Sequence, residues 1–365
     1  MAVTQLGGHM APVHFYLDDA PSIQPYCISP WQCEETTLLE GRSEVPLRGD
    51  FFCMPFGGGK PYLGEDHPPH GHTSGGRWSL VNADSDGPLH TLTVAMDTIT
   101  RPGKVTRSFS LLDGENVIYD QTRIAGFAGK TTLGHHAVLS VPETEGSLLV
   151  TTSQMKLGMT YPYPFGNPAV GEYQSLAVGA WFDDLSRVPS IFKATPDQDC
   201  SRYPARRGFT DLLQIVAEPI PGEPAWITAV NSEAGYLWFA LKDPATLPST
   251  IFWIENCGRH SSPWNGRTSL LGLEDVCAFF DTGIAASSEA NCISDRGVPT
   301  YHDLVSDTPL TIHYIQGVVR LPPGFRRVQA ARFSDSGVRF TDERGIEVAA
   351  QVQPYFVFGE PLRYS

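Results

Sequence analysis

Apolar and polar residues alternate with period two in several short runs: Thr91-Leu92-Thr93-Val94-Ala95-Met96, Val105-Thr106-Arg107-Ser108-Phe109-Ser110-Leu111, and Thr311-Ile312-His313-Tyr314-Ile315-Gln316-Gly317-Val318-Val319. Successive side chains of a strand point to opposite faces, so each run predicts a strand with one face buried. Asp113-Gly114 and Arg344-Gly345 fall between strand-like runs, where a hairpin turn needs positive φ at little steric cost. The more continuous runs at 226–230, 236–241 and 251–254 predict strands buried on both faces. Residues 10–17 read as a first strand. Helical periodicity is weak and confined to 210–217 and 286–292.

Composition supports a β fold. The chain has 365 residues with 35 Gly, 30 Pro and only 18% charged residues, which suits many short strands joined by turns better than long solvated helices. Hydrophobic content of 41% allows a large core. No Pro/Ser-rich linker separates two compositions, so the expectation is one large antiparallel β-sandwich domain spanning residues 1–365.

Charge and cysteines exclude several functions. A formal net charge of -14 without a dense basic run argues against nucleic acid and anionic membrane as partners. The seven cysteines are odd in number and form no C-x-x-C pair, so neither a disulfide scaffold nor a zinc knuckle is indicated, and reduced thiols in the cytoplasm fit best. The N-terminus shows no secretory pattern and no long apolar run follows. Gly8-His9-Met10 could pass for a cloning remnant, but the strand-like residues after it argue for native sequence. Nothing in the sequence indicates an oligomeric state.

Candidate chemistry concentrates in His70-Gly71-His72-Thr73-Ser74-Gly75-Gly76-Arg77-Trp78, which places two imidazoles, a guanidinium and an indole on one loop. Imidazole exchanges protons near neutrality, and an indole face suits sugar C–H surfaces. A metal site of the cupin kind is the main rival reading for His70 and His72, with His67 nearby as a third ligand. Arg259, His260, Trp264 and Arg267 form a second polar cluster that either lines the same cleft or covers the sandwich edge. Tyr161-Pro162-Tyr163-Pro164-Phe165 is a rigid aromatic loop that either walls a cleft or packs on itself.

Four segments taken in order, residues 47–58, the His70 loop, residues 133–142 and residues 253–274, resemble the aldose 1-epimerase (galactose mutarotase-like) superfamily, with hexose-6-phosphate mutarotases the nearest in pattern. There an R-G-G-x-P-x-x-x-P-x-F-G strand precedes H-G-F-x-R…W, then H-x-Y-F/H-x-N-F, then a late carboxylate. The likeness runs over roughly residues 7 to 350. It implies a large β-supersandwich, a small-molecule sugar ligand, no cofactor or metal, and anomer exchange by general acid/base catalysis. By position, Glu274 corresponds to the general base and His136 to the general acid. Arg48 and His70 correspond to substrate holders, and Glu255 or Asn256 to hydroxyl binders. His72 and Trp78 join the substrate-binding set. The chain departs from the pattern with His at position 72, Ser74 in place of Arg, and Val138 and Ser140 where Tyr/Phe and Asn are usual. Two other readings stay open: a non-catalytic carbohydrate-binding or lyase-like sandwich, for which Tyr161, Tyr163 and Tyr203 are candidates, and the metal-dependent cupin.

Overall fold

The computed structural model describes residues 1–16, 21–34 and 41–364. Among these residues two large antiparallel sheets face each other. The first runs in the order Phe52–Cys53, Leu133–His135, Ser269–Cys277, Ser249–Asn256, Phe209–Ala217, Met155–Thr160 and Trp181–Phe182, with Ala137–Ser140 also pairing to Ser269–Cys277. The second has nine strands, in the order Arg202–Tyr203, Leu148–Thr152, Ala225–Asn231, Tyr236–Lys242, Leu310–Arg320, Val117–Ala125, Gly103–Leu112, Leu89–Thr98 and Ser79–Asp86. The three alternating runs and the three continuous runs all lie within these strands, and both predicted hairpin turns connect paired strands.

Alternation along each strand sorts its side chains into layers. Leu271 and Leu273 face the core between the sheets, together with Leu213, Phe252, Phe109, Ile118 and Trp238. Leu270 and Val276 belong to a second apolar cluster on the far side of the first sheet, with Phe51, Leu212, Ile251 and Trp253. Glu274 falls on that far side by the same alternation. The outer face of the nine-stranded sheet is covered by a small sheet, Val328–Ser334, Gly337–Asp342 and Glu347–Gln351, through Phe239, Phe340 and Phe356. Two of the three buried layers are therefore packing, and the third lies under an open face.

Polar groups cross the inter-sheet core. Arg107 Nη2 lies 3.0 Å from Asp50 Oδ2 and 2.5 Å from Asp120 Oδ2, and His135 Nδ1 is 3.0 Å from the same Asp50 oxygen. Tyr314 stacks on His135 at 4.1 Å and donates its hydroxyl to Asp275, which also pairs with Lys242. These charges come from both sheets, so each fixes the position of the other.

Two expectations fail. Residues 210–217 form no helix; they belong to the strand Phe209–Ala217, whose Leu213 and Ile215 face one core and Leu212 and Val216 the other, so burial on both faces mimics helical spacing. Residues 10–16 form no regular strand either, only isolated bridges such as Met10 to Asp50 and Phe15 to Ile23, while Leu17 lies outside the described residues. The second helical candidate is met in part by the short helix Gly283–Ser288. All seven cysteines are free, and among the described residues no helix is long and apolar enough to cross a membrane.

Candidate active site

The open face of the first sheet carries a cavity of about 810 Å³. Its floor includes Phe51, His136, Leu212, Trp253 and Glu274; Tyr161, Tyr163 and Phe165 form one wall, and His70, Glu44, Arg259, Trp264 and Asp281 also line it. Glu274 is at the centre of its strand, opposite Ile251 of the neighbouring strand. Gly272 lies two residues before it, where a Cβ would stand 2.7 Å from Glu274 Oε1 and 2.9 Å from Trp253 Cβ. The absence of that methyl is what lets the carboxylate lie where it does.

His136 occupies the break between Leu133–His135 and Ala137–Ser140. Its backbone N–H donates to Phe51 O, and its ring stacks on Phe51 at 4.4 Å. Phe51 is stacked on its other face by His9 at 3.9 Å. His9 is itself locked, with Nε2 2.8 Å from Ser74 O and Nδ1 accepting from Arg48 N–H, which assigns the ring proton to Nε2. Burial holds its pKa down to about 3, so it packs as a neutral ring. The residue resembling a cloning remnant thus backs the proposed acid. Nothing but its place in the fold signals that role.

The central contact is between His136 Nε2 and Glu274 Oε1, 3.2 Å apart. The two residues are 4% and 2% exposed. Burial disfavours charge on both, pushing the Glu274 carboxyl well above its ordinary value, reinforced by the negative Asp281, and the His136 imidazole well below its own, reinforced by His70. Each group thus favours its neutral form, and the pair retains one transferable proton across neutrality. His70 meets His136 edge to face at 5.1 Å; its Nδ1 accepts weakly from Gly57 N–H at 3.4 Å, which directs Nε2–H elsewhere. Its backbone sits at φ 59°, a strained setting for a non-glycine residue and one concentrated at functional sites. His136 Nδ1, Trp253 Nε1 and Asp281 Oδ1 are buried without a protein hydrogen-bond partner. Those three atoms are what a polar ligand in the cavity could satisfy.

Other expected site residues lie elsewhere. Arg48 does not reach the cavity, because its guanidinium is taken up by Gln32 and by Pro46 O. Trp78 is 2% exposed in the inter-sheet core, with Nε1 donating to Thr73 O, so it offers no stacking face. His72 is hydrogen-bonded to Thr100 and His67 to Glu65, while His70 alone of the three lines the cavity, so these imidazoles form no cupin-type cluster among the described residues. Glu255 is buried and accepts the Gly258 and Arg259 backbone N–H groups, and Asn256 donates to Ala205 O; both hold loops. Among the described residues, the three His and acidic side chains placed so that they could share a metal ion are Asp50, Asp120 and His135, and the Arg107 guanidinium already balances them. Tyr203, open as a lyase candidate, is core, with its hydroxyl on Cys200 O.

Arg259, not Arg48, is the arginine that lines the cavity. Its guanidinium lies 5.2 Å from the Trp253 and Trp264 ring centres and 5.7 Å from Phe165, and its nearest carboxylate is Glu255 at 4.0 Å. Trp264 and Arg259 belong to the second polar cluster of the sequence, which does line the cleft. Asp281 carried no motif, and only the fold brings it in.

This arrangement of sheets has counterparts among solved structures. The chain superposes on a candidate aldose 1-epimerase from Escherichia coli K12 with a TM-score of 0.55 and 12% identity, covering 87% of this chain and 95% of the other. A candidate aldose 1-epimerase from Klebsiella pneumoniae gives 0.54 at 10% identity, covering 78% of this chain and 66% of the other. The chain has the galactose mutarotase-like fold. A candidate mutarotase from Salmonella typhimurium agrees, with a TM-score of 0.51 at 12% identity over 81% of this chain and 80% of the other. No family model matches the sequence, and no curated protein does. At these identities the mutarotase-like likeness is one of architecture, and the chemistry must be argued from the residues.

Proposed function

We propose that the cavity binds an aldose and interconverts its anomers, making the protein an isomerase of the aldose 1-epimerase kind. The observation that carries this reading is the meeting of His70, His136 and Glu274, far apart in sequence, at one cavity with one transferable proton between the last two. Anomer exchange needs a base for the C1 hydroxyl proton and an acid for the ring oxygen, after which the open aldehyde turns about C1–C2 and closes again. The two oxygens are bonded to the same carbon, so a donor and acceptor that touch each other can serve both. With the shared proton moved from Glu274 to His136, the Glu274 carboxylate takes the C1 hydroxyl proton while the His136 imidazolium gives its proton to the ring oxygen, and closure of the aldehyde on its other face runs both transfers backward and restores the pair. His70 and Arg259 bind hydroxyl oxygens, with Trp253 and Trp264 as apolar surfaces beside the ring.

The test is proton-NMR exchange between α and β anomers of a sugar panel, with wild-type protein and Glu274→Gln. The wild type should accelerate exchange above the spontaneous rate, and the variant should lose about 10²- to 10⁴-fold of that acceleration with its melting temperature near wild type. Sugar binding without accelerated exchange by the wild type would establish a carbohydrate-binding protein instead. An unimpaired Glu274→Gln variant would remove Glu274 from the mechanism.

A further inference from the structure

The cavity is too large for one sugar ring. Its volume of about 810 Å³ lies toward the upper end of the roughly 300–1,000 Å³ of clefts that hold drug-sized ligands, more than a single hexose fills. One side of the cavity is an aromatic wall. From the His136 ring, contacts run to Trp253 at 5.7 Å, then to the Arg259 guanidinium, Phe165 and Tyr161, and end at Tyr163.

Tyr163 is the unusual member. It lines the cavity yet is 51% exposed, and the ring it touches is Tyr161, edge to face at 5.8 Å. The loop that bears it is pinned, with Phe165 N–H donating to Gln174 Oε1, Gly179 N–H to Tyr161 O, and Tyr161 N–H to Leu212 O. A rigid, half-wet aromatic at the mouth of a polar cavity has the chemistry of a stacking platform for a second sugar. The exposed Lys60 and Glu289 also line the cavity and can meet its hydroxyls.

We propose that the substrate is the reducing end of a disaccharide or longer glycan, its first ring over Glu274 and His136 and its next ring against Tyr163. This rests on the sugar-anomer reading of the same cavity and adds the size of the substrate to it.

The experiment measures anomer exchange by NMR for glucose, maltose, cellobiose and lactose, together with saturation-transfer binding, using wild type and Tyr163→Ala. Glucose is the reducing-end unit of all three disaccharides, so it is the matched control. At least one disaccharide should exceed glucose in kcat/KM by about tenfold, and Tyr163→Ala should lower that ratio about tenfold, chiefly through KM. Glucose turned over as well as every disaccharide, or a ratio unmoved by Tyr163→Ala, overturns the proposal while leaving anomer exchange intact. Should the wild type exchange no sugar, the anomer reading falls, and the size proposal is then judged on binding alone, by whether a disaccharide binds more tightly than glucose and loses that advantage in Tyr163→Ala.

Discussion

Glu274 Oε1 and His136 Nε2 lie 3.2 Å apart, almost wholly screened from water. Burial pushes the two groups' proton affinities in opposite directions, raising Glu274 and lowering His136. The form with one shared proton therefore spans neutrality, losing its base only when the pair gains a second proton and its acid only when it loses the last. The rate of enzymatic anomer exchange should be flat across neutral pH, with its acid limb well below the 6.5 of a free imidazole. A pH–rate profile corrected for spontaneous exchange measures this, and an acid limb centred at 6.5 would show that His136 titrates as a solvent-exposed group.

Gly272→Ala should reduce activity without unfolding the protein. The new Cβ meets Glu274 Oε1 at 2.7 Å, and the carboxylate must rotate away from His136 to admit it. Loss of alignment between base and acid should lower kcat about tenfold or more, with KM changed less. Steady-state anomer exchange together with a melting curve distinguishes displacement of the carboxylate from unfolding.

Arg48 and Arg259 should exchange the roles that sequence order implied. Arg259→Ala removes a cation from the cavity wall and should raise the sugar KM about tenfold or more. Arg48→Ala loses bonds to Gln32 and Pro46 outside the cavity and should leave KM within about twofold, with a stability loss of about 1 kcal/mol. Parallel kinetics on both variants decide between the two arginines.

Trp78→Ala should cost about 3–5 kcal/mol of stability, because a fully buried indole in the inter-sheet core leaves a cavity when removed. Urea denaturation measures it. A change in sugar affinity with wild-type stability would return Trp78 to the binding surface.

Acid should destabilise the fold through His9. Its pKa is held near 3 in the folded protein against 6.5 unfolded, so between these values the unfolded chain binds more protons and stability falls as pH falls, by up to about 1.4 kcal/mol per pH unit. His70 and His136 are lowered as well and act in the same sense. Glu274, raised, acts oppositely, its contribution being lost as pH rises through its folded value. Urea midpoints between pH 4 and 7 should climb with pH, and His9→Phe should flatten part of the slope while retaining a ring on Phe51.

Period-two alternation, Gly-bearing turns and low charge sufficed to determine the β class and the positions of six of the long strands, because a strand's two faces are written directly into its residue order. The sequence also singled out His70, His136 and Glu274, and Arg259 with Trp264 as a polar cluster. It did not determine which side chains face the cavity. Arg48 and Trp78 have the right chemistry and the right neighbours in order, but one is bound by Gln32 and the other is sealed between sheets. The strand Phe209–Ala217 is buried on both faces, which erases the periodicity that would have revealed it. His9 and Asp281 belong to no motif; His9 backs the His136 stack because long-range packing brings it onto Phe51, and Asp281, seven residues past Glu274, lines the same cavity because the chain turns after the strand. Local order decides which residues alternate, whereas the packing of two sheets and their loops decides which of them meet.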